Sequence, residues 1–218
     1  LPKARVQADH STLYLVRHGA TDANLRKPYV LQGRGIDLAL SPTGVQQAER
    51  VARLLADRSV RAVYASPMRR ALETARAIAA RCNLDVIVRD ELVECNVGRW
   101  EGLSWEGICE QFPQECEDFQ RDPSRFPYLG GESYSDVARR VVPVLEQLLE
   151  HNQGERFVVV AHNIVNRVSV ATFLGLDLSR AKEIQQANGG VNVIRRENGR
   201  TQLVSLNSEF HLEDDCPS

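Results

Sequence analysis

The sequence predicts an α/β fold, a three-layer α/β/α sandwich around a mostly parallel central sheet. Two features carry that prediction. Short apolar runs of strand length alternate with longer stretches of helical period. Three of the apolar runs also lead straight into charged or titratable residues. In open α/β sheets, ligands bind beyond the carboxyl ends of the strands.

The elements follow in order. TLYLV (12–16) reads as a buried strand. SPTGVQQAERVARLLADR (41–58) reads as a helix, with Ser41 as its cap and Pro42 at the first helical position. Val45, Ala48, Ala52 and Leu55 recur along it at helical spacing. RAVYA (61–65) is the next strand, and SPMRRALETARAIAARC (66–82) repeats the Ser-Pro helix start. LDVIV (84–88) is a third strand. Residues 90–131 break the alternation and are rich in Gly, Pro, aromatics and acids. ESYSDVARRVVPVLEQLLEH (132–151) is amphipathic through Val137, Val141, Leu145 and Leu148. Pro143 inside it costs about 3 kcal/mol in an unbroken helix, which predicts a kink. RFVVVA (156–161) is a strongly buried strand and NIVNRVSVATFLG (163–175) a helix. VNVIRRENGRTQLVSLN (191–207) reads as a hairpin turning at ENGR.

Composition narrows the function classes. The 218 residues suit one domain with a sizeable core, and a net charge of −2 argues against a nucleic-acid binder with a broad basic surface. No apolar run has the length of a membrane span, and the N-terminal stretch has no apolar signal core. The five cysteines, Cys82, Cys95, Cys109, Cys116 and Cys216, form no C-x-x-C pair and no zinc framework. They read as free thiols in a reducing cytoplasm. The sequence leaves homo-oligomerisation open.

The candidate chemistry sits at the strand ends. The first strand runs into Arg17-His18-Gly19, the second into SPMRR with Arg69 and Arg70, and the buried RFVVVA into His162-Asn163. Two histidines and at least two arginines converging at one sheet edge suit an oxyanion, phosphate best, because a guanidinium presents a planar fork of donors. Helix N-termini at the same edge would add N–H donors. A neutral imidazole can attack phosphorus in line, and neighbouring positive charges favour the neutral form. A carboxylic acid can protonate the leaving alkoxide. This chemistry calls for no metal or other cofactor.

Six blocks in order resemble the histidine phosphatase (phosphoglycerate mutase-like) superfamily: LVRHGATDAN, LSPTGVQQA, YASPMRRALETA, LVECNVGRWEGL, GGES and VVVAHNIVNR. The resemblance covers nearly the whole chain. It implies a phosphoglycerate mutase-like fold, with 1–218 as one histidine phosphatase domain carrying a lid-like insertion at about 103–131. It implies His18 as nucleophile, Arg17, Arg70 and His162 as the phosphoryl clamp, and Glu94 as proton donor. Asn24 matches a phosphate-contacting residue, Gln32 and Gly33 fall at the substrate mouth, and Thr21 is counted with them. Several alternatives stand beside these roles. Glu91 or Glu101 could be confused with Glu94, and Asn24 and Gln32 could be loop-structuring amides. Arg69 reads as a solvated partner of an acid, and Trp100 and Trp105 as packing residues. His10, His151 and His211 read as surface residues.

Two departures refine the expectation. Most members of the family follow the second histidine with Gly, where this chain has Asn163. That residue either reaches phosphate or substrate, or caps the next helix. AHNIVN and IQQANGGVNVI are similar to a plant and cyanobacterial phosphatase-like branch, which implies a sugar-acid or sugar phosphate. In 103–131 only Arg121 and Arg125 stand against six acidic residues, a cover that would serve a bisphosphate poorly. Its aromatics form either an apolar lid or packing. The sequence thus favours a metal-independent phosphomonoesterase acting on a small phosphorylated metabolite. A phosphoglycerate mutase and a phospho-ligand-binding protein are the competing readings.

Overall fold

The computed structural model describes residues 10–213. β1 (His10–Arg17), β2 (Val60–Ala65), β3 (Val86–Val88), β4 (Arg156–Ala161), β5 (Val191–Glu197) and β6 (Arg200–Ser208) form one six-stranded sheet. Its order is β3-β2-β4-β1-β5-β6. The first four strands in that order pair in parallel, and β5 and β6 add an antiparallel edge. The hairpin between them turns at Asn198-Gly199, both at positive φ, as a tight two-residue turn requires. The described residues contain no helix long and apolar enough to cross a membrane.

β4 lies at the centre, and its alternation feeds two cores. Val158 and Val160 face one side, with Val51, Ala52 and Leu55 of α2 (Pro42–Ala56) and Ala71, Ala75 and Ile78 of α3 (Arg69–Cys82). Phe157 and Val159 face the other, with Val137, Val141 and Leu145 of α6 (Tyr134–His151) and Val165 and Val168 of α7 (Asn163–Phe173). Burial on both faces explains why RFVVVA reads as a continuous apolar run. The smaller helices are α1 (Asp22–Leu25), α4 (Trp105–Gln111) and α5 (Pro113–Arg121).

The structure corrects several local expectations. α3 begins at Arg69 with Met68 as an uncapped N-cap, so Ser66 and Pro67 precede the helix. Ser66 is fully buried and turned toward His162 instead. β3 is shorter than 84–88, at three residues. The helix expected over 132–151 is present as α6, which includes Pro143 and has its start fixed by a Ser133–Asp136 capping box. Residues 90–131 are not irregular throughout but hold α4 and α5. The cysteines are not all free. Cys109 and Cys116, brought to a Cα separation of 5.3 Å where α4 turns into α5, form a disulfide. Cys82 and Cys95 are free thiols, and Cys216 lies outside the described residues.

Val45 is half exposed, and the inward position in the first turn of α2 belongs to Gly44. Gly44 lies flush against the chain leaving β1. A Cβ on Gly44 would run into the Ala20 carbonyl oxygen, and one on Gly19 into the Gly44 carbonyl. Ser41 ties the same corner by donating its hydroxyl to the Ala20 carbonyl at 3.0 Å. Gly44→Ala is therefore expected to lower unfolding stability by about 1–3 kcal/mol, the usual cost of overpacking, read as a drop in the urea midpoint.

Candidate active site

β1, β4 and β2 are adjacent and parallel, with Arg17 level with Ala161 and Ala65 level with Val160. That register brings Arg17-His18, Ser66 and His162 to one edge of the sheet. Arg70, in the first turn of α3, reaches the same point: its Nε–H donates to His18 Nε2 at 3.2 Å. Its other nitrogens donate to the carbonyls of Ile36 at 2.9 Å and Gly33 at 3.1 Å, which fixes the guanidinium plane. Arg17 is held from the opposite side by the Gln186 carbonyl. Arg17, His18, Arg70, Glu94 and His162 are all buried.

The hydrogen bonds assign the protons of His18. Its Nδ1 lies 2.7 Å from the Gly19 carbonyl oxygen, which only accepts, so Nδ1 carries the hydrogen. Nε2 receives the Arg70 N–H and therefore presents its lone pair. Burial, followed by the charges of Arg70 and Arg17, holds the His18 imidazole well below its usual range. His162, whose ring centre is 5.1 Å away, is held down by burial, then by Arg70, His18 and Arg17.

Glu94 is the carboxylate brought to this centre. It is 3 % exposed and lines a narrow cleft of about 20 Å³ with His18 and Arg17. Its oxygens accept the backbone N–H of Cys95 at 2.8 Å and of Ile164, in the first turn of α7, at 3.3 Å. That helix terminus thus holds a protein carboxylate rather than an open anion site. Glu101 instead accepts the N–H groups of Gly33 and Gly35, and Glu91 is exposed. Arg69 is exposed and paired with Glu73 at 2.9 Å.

The remaining candidates divide. Asn24 and Gln32 line the narrow cleft. Both also organise the loop: Asn24 Oδ1 accepts the Thr21 N–H at 3.0 Å, and Gln32 bonds the Thr21 hydroxyl at 2.8 Å and the Ile36 carbonyl at 3.2 Å. Thr21 is wholly buried as the cap of α1 and lines neither cavity. Gly33 supports Arg70 from behind rather than lining a cavity. Asn163 is the first residue of α7 and not its cap; its Oδ1 is buried without a protein partner, and it lines both cavities. Of the histidines expected at the surface, His151 is exposed, His10 is intermediate, and His211 is half-buried against the Gly189 carbonyl at 2.9 Å.

Sequence reasoning missed the larger cavity that continues from the cleft, about 590 Å³. Arg17, Arg167 and Lys182 line it and no Asp or Glu does. Arg167 stands one helical turn after Asn163, a spacing visible in AHNIVNR. Its guanidinium is bonded to Tyr134, which also bonds Tyr128. The aromatic walls Trp105, Phe119, Tyr128 and Tyr134 belong to a packed cluster centred on Trp100, which is itself fully buried. The rings pack the core, and Trp105, Phe119, Tyr128 and Tyr134 also wall the cavity. The acids of 103–131 do not line it. Gln186 and Asn192 exchange hydrogen bonds at 2.7 and 3.0 Å beneath Arg17, and Asn188 bonds the His18 carbonyl at 3.0 Å. IQQANGGVNVI thus supports the site through Asn188 and Asn192 and lines the larger cavity with Gln186.

With this geometry in hand, the chain is assigned to a family. It belongs to the histidine phosphatase superfamily (branch 1), whose model matches residues 13–209. Phosphoserine phosphatase 1 of Hydrogenobacter thermophilus is 33% identical over 92% of this chain and 93% of its own. The metal-independent phosphoserine phosphatase of Arabidopsis thaliana is 32% identical over 95% and 86%. A phosphoserine phosphatase mutant of Entamoeba histolytica, solved with phosphoserine, superposes with a TM-score of 0.84 at 28% identity, covering 93% of this chain and 100% of that one. The chain is a phosphoric monoester hydrolase with a phosphoglycerate mutase-like fold.

The two depressed imidazoles have a consequence for stability. An unfolded histidine takes its proton near pH 6.5, whereas His18 and His162 stay neutral when folded. Below that pH the unfolded chain binds more protons, so stability is full above about pH 6.5 and falls as pH drops toward the folded values. The fall approaches about 1.4 kcal/mol per pH unit for each imidazole. Urea midpoints measured from pH 7.5 to 5.5 should decline, and less steeply in His162→Gln.

Proposed function

We propose that the chain hydrolyses small phosphate monoesters that also carry a carboxylate, without a metal, through a phosphohistidine on His18. The observation that carries the reading is the proton arrangement at His18: an unprotonated Nε2, held by Arg70, in a ring whose Nδ1–H is anchored on Gly19. Nε2 attacks phosphorus while Arg17, Arg70 and His162 hold the phosphoryl oxygens as charge shifts toward the leaving group. Glu94 gives a proton to the departing alkoxide, then takes one from the water that opens the phosphohistidine. Residues 103–131 act as a lid whose inner face supplies Trp105, Phe119, Gln120 and Tyr128.

The outer cavity supports the substrate class. Arg17 serves the phosphoryl group, which leaves Arg167 and Lys182 facing a space with no protein acid. A substrate carboxylate would meet them there. Phosphoserine, phosphoglycerates and sugar-acid phosphates share that chemistry, and phosphoserine phosphatases are among the relatives. A volume of about 590 Å³ also admits a body of sugar size.

Phosphate release in excess chelator from O-phosphoserine, 3-phosphoglycerate, a sugar-acid phosphate and p-nitrophenyl phosphate tests the proposal. Turnover should be highest among the carboxylates and lost in His18→Ala; isomerised phosphoglycerate without net phosphate release would overturn it. Arg167→Met should raise KM for carboxylate substrates about tenfold and leave the aryl phosphate unchanged, the scale of one lost charge-assisted hydrogen bond. Glu94→Gln should lower kcat about 10²–10⁴-fold on alkyl phosphates and less on p-nitrophenyl phosphate, whose leaving group needs little protonation.

A further inference from the structure

Ser66 is fully buried at the end of β2, beside the site but outside the chemistry so far described. Its Oγ lies 2.7 Å from His162 Nε2 and accepts the Met68 backbone N–H at 3.3 Å. A buried hydroxyl hydrogen needs an acceptor. Among the described residues, His162 Nε2 is the atom placed to be one. If Nε2 instead carried the hydrogen, two donors would point at Oγ and the hydroxyl hydrogen would have no protein acceptor. Nδ1, across the ring, is buried and has no protein partner.

We infer that Ser66 is a positioning residue that locks His162 into its neutral Nδ1–H tautomer, so that this histidine serves the phosphoryl group as an uncharged hydrogen-bond donor. The two histidines then share one tautomer with opposite use. His18 spends its Nδ1–H on Gly19 and offers the lone pair of Nε2. His162 spends the lone pair of Nε2 on Ser66 and offers its Nδ1–H. The division suits a site with two buried guanidiniums, since an imidazolium would add like charge to a desolvated centre. Asp or Glu in place of Ser66 would recruit that charge; a hydroxyl sets the tautomer without it.

The role of His162 toward the phosphoryl group rests on the proposed function, but its tautomer does not, and the first test is independent of turnover. In ¹⁵N-labelled wild-type protein without phosphate at pH 7.5, the His162 ring should show a protonated Nδ1 and an unprotonated Nε2. The resonances are assigned by their absence from His162→Gln. A proton on Nε2 would overturn the inference whatever the enzyme hydrolyses. The second test is kinetic. Ser66→Ala should lower kcat/KM about tenfold or more at pH 7.5, because Nδ1 is then free to lose its hydrogen to Nε2. Ser66→Thr, which keeps the hydroxyl, should restore most of the rate. A Ser66→Ala protein whose His162 keeps its hydrogen on Nδ1 in the ¹⁵N spectrum would mark Ser66 as packing alone, and a Ser66→Ala rate within twofold of wild type would also sink the inference.

Discussion

The active centre is organised by one electrostatic constraint: positive groups are buried together with Glu94, the one buried carboxylate among the described residues. Arg17 and Arg70 are buried around His18 and His162, and Glu94 is the acid at their side. Guanidiniums do not lose their charge in a protein, so the imidazoles must stay neutral. Neutrality leaves one ring with an unprotonated Nε2, whose lone pair faces Arg70. The same constraint requires acceptors for every guanidinium N–H that a ligand does not take. The chain supplies several from backbone carbonyls, Ile36 and Gly33 for Arg70 and Gln186 for Arg17, and leaves the buried Arg17 Nε–H without a protein acceptor. Loops far apart in sequence are therefore tied to the same few atoms.

Those carbonyls must themselves be held in place. The loop carrying Gly33 is fixed by Glu101, which bonds the Gly33 and Gly35 amides. The loop carrying Gln186 is fixed by an amide network in which Asn192 reaches back to the Leu15 carbonyl in β1. The site is thus embedded in the sheet rather than perched on it. Close packing of Gly19 against Gly44 completes the arrangement, leaving no room for a side chain at the corner where β1 delivers His18.

Much of this was legible in the sequence. The burial of β4 on both faces wrote RFVVVA as an unbroken apolar run, and the strand-end positions of Arg17, His18 and His162 followed from the alternation of elements. Arg70 could be told from Arg69 by the block it sits in, and the structure shows the difference as burial against exposure. The outer cavity was not legible, because Tyr29, Arg167 and the pair Lys182 and Gln186 come from three separate segments and meet only through tertiary packing. Ser66 was misread as a cap because a Ser-Pro pair starts α2 in that way, whereas at α3 the hydroxyl is claimed by His162.

The aromatic cluster has an evolutionary consequence. Phe119, Tyr128 and Tyr134 are almost wholly buried and pack on Trp100 or on one another, yet each also walls the cavity. Drift at these positions cannot reshape the pocket without loosening the interior, so they are poor sites for acquiring a new substrate. Tyr29, Gln120 and Lys182 line the same space while exposed to solvent. Divergence among paralogues of this chain should therefore concentrate at such rim positions, with selectivity changing there while the ring cluster stays constant.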